Sequence, residues 1–254
     1  MTDAADLGAG YLARITSLLE RIQAEEQASI AKAASVLAEQ IAADRLIHIY
    51  GPGGHSNLAS QEVFFRAGGL MHISAILDEG TMLAGGALRS MAMERTPGYG
   101  RIVIENAGLV PGDVLILVNA YGINTALIDA ALTASTLDVR TIGISSREHA
   151  ERTSADHPAR HPSGSNLHDV VDLHIDSKVP IGDAVVELPG VSEKVGAVST
   201  FANAYSLNWL VQCTIRELRE RNIEPPIWRS GNAPGGDEAN RKFLDRFKGR
   251  VHSL

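Results

Sequence analysis

A glycine-rich segment that ends in a histidine, a serine and an asparagine is the first stretch of this sequence whose residues suggest chemistry. It runs from Gly51 to Asn57 as GPGGHSN, directly after a short apolar run. Gly51, Gly53 and Gly54 permit backbone conformations in which amide N–H groups converge on an anion. This first loop (residues 51–57) therefore predicts an anion cradle, although a plain tight turn would leave the same pattern.

A helix is predicted to begin at Ser56 or Asn57, where the first loop ends. Free N–H groups and the positive end of the helix dipole favour an anion there, and the Ser56 hydroxyl could cap the helix or bind the ligand. No Gly-Lys-Ser/Thr follows the loop, and the third glycine of the dinucleotide fingerprint is missing. A nucleotide loop of either well-known kind is therefore not indicated.

A second segment of the same build, NAYGINT, lies at residues 119–125. This second loop follows an apolar run, contains a glycine and leads into a predicted helix. Two such loops at one edge of a sheet would converge on one ligand, which is a more specific signal than either loop alone. The candidate ligand-binding residues of the two loops are Gly53, Gly54, Ser56, Asn119, Tyr121, Gly122 and Asn124.

Four side chains are candidates for moving protons beside that ligand. Glu62 lies about two turns into the helix that begins at the first loop, within reach of a ligand held at the helix start. His55 lies in the loop itself, and histidine titrates near neutral pH, so it can act as acid, base or anion ligand. His161 and His168 lie in a long loop and helix start, RHPSGSNLH, that could cover the site or reach a neighbouring subunit. Exposed or backbone-bonded side chains would give the same pattern.

The elements that must position these residues are short apolar runs that alternate with helical patterns. Such alternation predicts a parallel sheet covered by helices on both faces, and about five strands fit a doubly wound, flavodoxin-like α/β fold. Ligands bind beyond the carboxyl ends of the strands in such sheets, where both loops lie. The predicted strands are residues 45–50, 70–76, 113–120, 139–145 and 170–176, and the predicted helices are 57–67, 81–106 in pieces, 124–136 and 197–221.

A long helical pattern without proline precedes the first strand, over residues 4–43. Its apolar positions recur at helical spacing, and a stripe of that length needs a second surface, either the rest of the domain or another subunit. We therefore predict a helical extension over residues 1–44, a central domain over 45–221, and a turn-rich tail with a short helix over 222–254.

Composition and charge exclude several classes of function. The 254 residues carry a net charge of −7 without a long basic tract, which argues against nucleic-acid binding. The single cysteine, Cys213, excludes an intramolecular disulfide and a cysteine-cluster metal site, and it is typical of a reducing cytoplasm. We expect neither a signal peptide nor a membrane span. The expected protein is cytoplasmic, binds a small molecule, and uses no metal or other cofactor. The alternative is a zinc site formed by His55, Glu62, His161 and His168, although no HxxxH or HxH spacing is present.

Four segments of the sequence resemble a poorly characterised branch of the sugar isomerase (SIS) domain proteins. They are the block 51–70, the second loop, residues 160–172 and residues 227–240, and the resemblance extends from near residue 10 to the C-terminus. It is more distant for phosphoheptose isomerases. The resemblance implies a five-stranded parallel sheet between helices, binding of a phosphosugar, and assembly as a homodimer or homotetramer.

The second loop departs from the family pattern. SIS domains usually hold phosphate with a loop of the Ser-x-Ser-Gly-x-Thr kind, whereas this chain has Asn119, Tyr121, Gly122 and Asn124 at the matching positions. Asparagine amides and a tyrosine hydroxyl can still donate hydrogen bonds to an anion, although the pocket would differ in size. A different anion or an uncharged sugar therefore stays open beside phosphate.

The resemblance implies isomerisation of an anionic sugar, foremost a sugar phosphate, between its aldose and ketose forms. That reaction needs a base that moves a proton between adjacent carbons and an acid that shuttles protons between the oxygens. Glu62 would be the base, and His55 or His161 would complete the relay. Two alternatives are a phosphosugar sensor without catalysis, and a deaminase or lyase that acts on an amino-sugar phosphate.

Overall fold

The computed structural model describes residues 4–254, and at its centre lies a sheet of five parallel strands in the order β2-β1-β3-β4-β5. The predicted doubly wound, flavodoxin-like fold is confirmed. Because β1 and β3 lie side by side, the winding of the chain reverses between them. The five strands are β1 Ile47–Tyr50, β2 Ile73–Ile76, β3 Val114–Val118, β4 Arg140–Ser145 and β5 Leu173–Asp176.

Ten α-helices occur within residues 4–254, and those that contact the sheet form two layers. They are α1 Ala4–Glu25, α2 Gln27–Ala42, α3 Ser56–Val63, α4 Ala87–Glu94, α5 Tyr99–Glu105, α6 Thr125–Thr136, α7 Arg147–Arg152, α8 Leu167–Val170, α9 Ser199–Glu220 and α10 Gly236–Phe247. α2, α3 and α9 pack on one face of the sheet, and α5, α6 and α8 pack on the other. A 3₁₀ turn, Leu83–Gly85, precedes α4.

Burial on both faces explains why the strands are continuous apolar runs. Every residue of β3 is buried, and alternate side chains serve the two helix layers. Val114 and Ile116 pack with α2 and α9, whereas Leu115 and Leu117 pack with α5 and α6. The loops that follow β1 and β3 therefore start from a rigid edge.

The N-terminal helix is long, as predicted, but it is divided rather than continuous over residues 4–43. α1 ends at Glu25, and Glu26, with φ −106° and ψ 11°, separates it from α2. The ammonium group of Lys178 lies 2.8 Å from the Glu26 carboxylate and 3.0 Å from the carboxylates of Glu25 and Asp176. This four-residue cluster, the Lys178 cluster, ties the junction of the two helices to the end of β5.

The C-terminal segment packs against the sheet domain through α10, the short helix predicted there. Trp228 and Phe247 are buried together, and the guanidinium groups of Arg246 and Arg250 lie 2.7 and 3.2 Å from the carboxylate of Asp44. The helix start predicted near His168 is α8, whereas the sequence patterns did not predict α7 or a small hairpin formed by β6 Ala184–Val186 and β7 Val195–Ala197. No helix within residues 4–254 combines the length and the apolar character needed to cross a membrane.

Candidate functional site

The first loop follows β1. The backbone N–H groups of its residues 53–56 donate to no acceptor within residues 4–254. Gly53 has φ +108°, a conformation that other residues rarely adopt, which allows a sharp turn here. The backbone N–H and the side-chain amide of Asn57 both donate to the Gly53 carbonyl at 3.0 Å and fix this turn. Since α3 begins at Ser56, that serine is the first helical residue rather than the cap.

Asn119 joins the second loop to the first. Its Nδ2 donates to Ser56 Oγ at 3.2 Å and to the Pro52 carbonyl at 3.4 Å, while its Oδ1 accepts from the N–H groups of Tyr121 and Gly122 at 2.9 and 3.0 Å. Because the Ser56 oxygen accepts here, its hydroxyl hydrogen can point elsewhere. The structure therefore brings the two loops together at the edge between β1 and β3, where the winding reverses.

Two further residues of the second loop have distinct environments. Gly122 has φ +70°, and a Cβ atom at this position would collide with the side chain of Ser145, so any other residue would strain the backbone and displace Ser145. Asn124 precedes α6 and is buried, and its Oδ1 has no hydrogen-bond partner within the described chain. A buried acceptor of this kind is costly unless water or a ligand donates to it. Gly122 thus shapes the loop, and Asn124 offers an acceptor.

Glu94 at the end of α4 lies against the first loop. A Cβ atom placed on Gly53 would collide with Oε2 of Glu94, and one placed on Gly54 would collide with Leu83. Burial raises the pKa of Glu94 to about 7, and the nearby charge of Arg95 acts in the opposite direction. No hydrogen bond contributes to this shift. A carboxyl group that is half-protonated near neutral pH thus borders the free amides.

Tyr121 and His149 form a stacked pair beside the second loop. Their ring centroids are 3.8 Å apart, with 15° between the ring planes. Burial raises the pKa of Tyr121, and the negative charges of Asp183 and Glu94 add to this rise. Burial lowers the pKa of His149, so its ring is neutral at pH 7, and its buried Nδ1 has no partner within residues 4–254.

His55 and Glu62, two of the predicted proton carriers, line one groove between α3 and α9. The groove has a volume of about 300 Å³. Oε1 of Glu62 accepts from Nδ2 of Asn208 at 3.2 Å and lies 3.5 Å from the guanidinium group of Arg66. Asn203 also lines the groove, and its buried Oδ1 has no partner within the described residues. The two predicted residues therefore share one space, in which two partners hold the Glu62 carboxylate.

His161 and His168 lie elsewhere. Nε2 of His161 is 3.0 Å from the Asp129 carboxylate on α6, and its Nδ1 is 2.7 Å from Ser163 Oγ. His168 is largely buried, with its ring edge-on to that of His174. Neither His161 nor His168 lines the groove between α3 and α9. The structure therefore does not bring His161 together with His55 and Glu62.

Sequence reasoning missed Glu94 and His149 for different reasons. His149 lies shortly after β4, at the same carboxyl edge as both loops, so a search of every strand end would have found it. Glu94 lies within the predicted helical stretch 81–106, where nothing distinguishes it from an exposed helical glutamate. Its place beside Gly53 arises because the chain folds back over the first loop.

No group of three or more His, Cys, Asp or Glu side chains within residues 4–254 is arranged to hold a metal ion. Cys213 is partly buried and packs against the core on the α9 side of the sheet. The chemistry that the described residues offer at the loops therefore consists of free amide donors, a serine hydroxyl, two asparagine amides and titratable side chains.

Comparison with known sequences identifies relatives along nearly the whole chain. Residues 10–146 match the family model described as SIS domain. A UPF0309 protein of Geobacillus kaustophilus is 36% identical over 244 residues, covering 96% of this chain and 95% of that protein. A UPF0309 protein of Caldanaerobacter subterraneus is 34% identical over 247 residues, covering 96% of this chain and 98% of that protein. The resemblance inferred from the sequence segments is confirmed.

Two solved structures share the fold. A phosphoheptose isomerase from Neisseria gonorrhoeae superimposes with a TM-score of 0.57 at 15% identity, covering 84% of this chain and 100% of that chain. A phosphoheptose isomerase from Francisella tularensis gives a TM-score of 0.52 at 14% identity, covering 86% of this chain and 100% of that chain. At these identities the likeness concerns the fold.

Proposed function

We propose that this chain, which belongs to the SIS domain family and is related to the UPF0309 proteins, binds a phosphorylated or otherwise anionic sugar. The first and second loops would together form the binding cradle. The observation that carries this proposal is the set of four free amides in the first loop, joined to the second loop by the Asn119–Ser56 hydrogen bond. Converging N–H donors at the start of a helix favour an anion.

The side chains of the cradle suit such a ligand although the serines of the second loop are missing. The Ser56 oxygen accepts from Asn119, which leaves its hydroxyl hydrogen for the ligand. The unpartnered Oδ1 of Asn124 can accept from a sugar hydroxyl. A sugar phosphate offers both groups, an anion for the amides and hydroxyls for the acceptor. An uncharged sugar would leave the amides without an anion.

We further propose that the bound sugar is isomerised between its aldose and ketose forms. Two solved proteins that share the fold are phosphoheptose isomerases. The reaction needs a base and an acid beside the sugar, and titratable groups are available in two places. Glu62 and His55, predicted from the sequence, lie in the groove between α3 and α9, whereas Glu94 and Tyr121 lie at the loops.

Sugar phosphates are expected to raise the melting temperature of the protein, whereas the matching free sugars are not. A ligand present at 100 times its dissociation constant adds about 2.7 kcal/mol to the free energy of unfolding. A thermal-shift panel of pentose, hexose and heptose phosphates, their free sugars and inorganic phosphate measures this, and turnover assays of the stabilising compounds follow. Stabilisation by free sugars alone would contradict an anionic ligand. Stabilisation without conversion would favour a sensor, and ammonia release would indicate a deaminase.

We also propose that α1 packs against a second copy of this chain. The helix has 22 residues, yet Ile22 is the one buried residue among them. Leu12 is 63% exposed and Leu7 is 39% exposed. Tyr11, Leu18 and Leu19 on another side of α1 pack against α9 and the β6–β7 hairpin. The surface left for a partner is therefore the one that carries Leu7 and Leu12.

The change Leu12→Glu is expected to lower the molar mass in solution from that of a dimer or larger assembly to that of a monomer, because a charge on this exposed apolar surface would be buried between copies. Size-exclusion chromatography with light scattering measures the mass. Leu132→Glu is the matched control, since Leu132 is 39% exposed on α6. A wild-type protein that is monomeric at micromolar concentration would contradict the proposal.

A further inference from the structure

We propose that Asn203 on α9 binds a hydroxyl group of the sugar, and that the groove between α3 and α9 holds the part of the sugar beyond its anionic group. The proposal rests on the sugar-binding function proposed above and deepens it, because it states where the sugar lies relative to the anion. Asn203 would then select a hydroxylated ligand over a bare anion.

The first argument is that the groove begins at the anion cradle. His55 lines the groove, and its backbone N–H is one of the four free amides of the first loop. Leu58, Ala59 and Glu62 line the groove further along α3, at the i+3, i+4 and i+7 positions that share one face of a helix. The helix rises about 10 Å between residues 55 and 62. A sugar whose anionic group is held by the amides can therefore extend along this face.

The second argument is the environment of the Asn203 side chain. The residue lines the groove and is 3% exposed, and its Oδ1 atom has no hydrogen-bond partner within residues 4–254. A buried amide oxygen in this state is unfavourable unless a ligand or water donates to it. Half a turn about the last side-chain bond exchanges the amide oxygen and nitrogen, so the group can accept from a sugar hydroxyl or donate to it.

The other polar groups of the groove suit hydroxyls better than a second anion. The contacts of Glu62 with Asn208 and Arg66 are both made by Oε1, so Oε2 remains to accept from a sugar hydroxyl. Thr200, exposed in the first turn of α9, adds a hydroxyl to the lining. A phosphate placed in the groove would instead meet the Glu62 carboxylate, and like charges repel. The anion therefore belongs at the amides of the first loop and the hydroxyls in the groove.

A second residue of α9 provides a comparison with Asn203. Ser206 is 0% exposed, and its Oγ atom also has no hydrogen-bond partner within the described chain. Ser206 does not line the groove, whereas Asn203 does. A ligand in the groove would therefore contact Asn203 and leave Ser206 untouched. The two residues form a matched pair on one helix, with similar burial and different access to the groove.

The experiment measures dissociation constants of wild-type protein and Asn203→Leu, in which a side chain of similar size lacks the amide. The probes are inorganic phosphate, ribose 5-phosphate, glucose 6-phosphate and sedoheptulose 7-phosphate, each titrated by thermal shift. Wild-type protein is expected to bind at least one of the sugar phosphates more tightly than inorganic phosphate. Asn203→Leu is expected to weaken the binding of that sugar phosphate roughly tenfold, through the loss of one hydrogen bond, and to bind inorganic phosphate as the wild type does.

Ser206→Ala is the matched control and should leave the affinities for all the probes unchanged. Asn203→Ala removes the same amide and replaces Asn203→Leu if the leucine variant does not fold, which the melting temperature without ligand shows.

Unchanged sugar phosphate affinity in the Asn203 variant would overturn the role of Asn203 and leave the proposed function standing. An equal loss for inorganic phosphate and sugar phosphate would also overturn it, because Asn203 would then support the cradle rather than hold a hydroxyl. Wild-type protein that binds sugar phosphates no more tightly than inorganic phosphate would overturn the subsite in the groove and leave the anion cradle. Stabilisation by none of the probes would overturn both proposals.

Discussion

Replacement of Asn119 by aspartate is expected to abolish the stabilisation of this protein by sugar phosphates. The Oδ1 atom would still accept from the N–H groups of Tyr121 and Gly122, so the second loop would keep its turn. The donor to Ser56 Oγ would be lost, and the serine hydroxyl would turn towards the new carboxylate instead of the ligand. The change therefore removes a donor and adds a negative charge at the point where the two loops meet.

The charge is the larger of these effects. Two like charges about 4 Å apart repel by about 4 kcal/mol at the effective dielectric constant of a protein surface, which corresponds to roughly a thousandfold loss of affinity. The shift in melting temperature with the stabilising sugar phosphate measures the loss. Asn232→Asp adds the same charge at an exposed turn and serves as the control. An Asn119→Asp protein that is stabilised as strongly as the wild type would place the anion away from the second loop.

The sheet could be predicted because its strands are local patterns. Each β-strand of the central sheet is a short apolar run. A strand that is covered by helices on both faces needs apolar side chains on both, so it can be recognised from its own residues. The two loops were also visible, since glycines follow β1 and β3 in positions that such a fold uses for ligands. Their meeting through Asn119 and Ser56 follows from the strand order, in which β1 and β3 are neighbours.

The remaining features depend on contacts between distant parts of the chain. Nothing in the sequence near Glu94 shows that its carboxyl group will lie against Gly53, 41 positions earlier in the chain. The division of the N-terminal helix at Glu26 coincides with ion pairs to Lys178, which lies beyond β5. His161 was expected to carry a proton beside the ligand, but its ring nitrogen pairs with Asp129 on α6. Residue type and local spacing do not show which side chains from distant parts of the chain will pair.

The largest effect on stability is expected for Lys178→Met. The Lys178 ammonium group lies within 3.0 Å of three carboxylates, and its side chain is 10% exposed. Methionine would fill a similar volume but leave the carboxylates of Glu26 and Asp176, which are 9% and 13% exposed, without their cation. Breaking a buried pair in this way costs about 3–5 kcal/mol of unfolding free energy. Urea unfolding, followed by circular dichroism, measures the loss.

The control is Lys194→Met in the β6–β7 hairpin, where Lys194 and Glu187 pair at 3.1 Å with exposures of 56% and 78%. A pair so exposed contributes about 1 kcal/mol at most, so this change should barely alter stability. If unpaired charge is the cause of the larger loss, Glu26→Gln added to Lys178→Met should restore part of it, because one uncompensated carboxylate disappears. A double variant no more stable than Lys178→Met would instead attribute the loss to packing at the junction of α1 and α2.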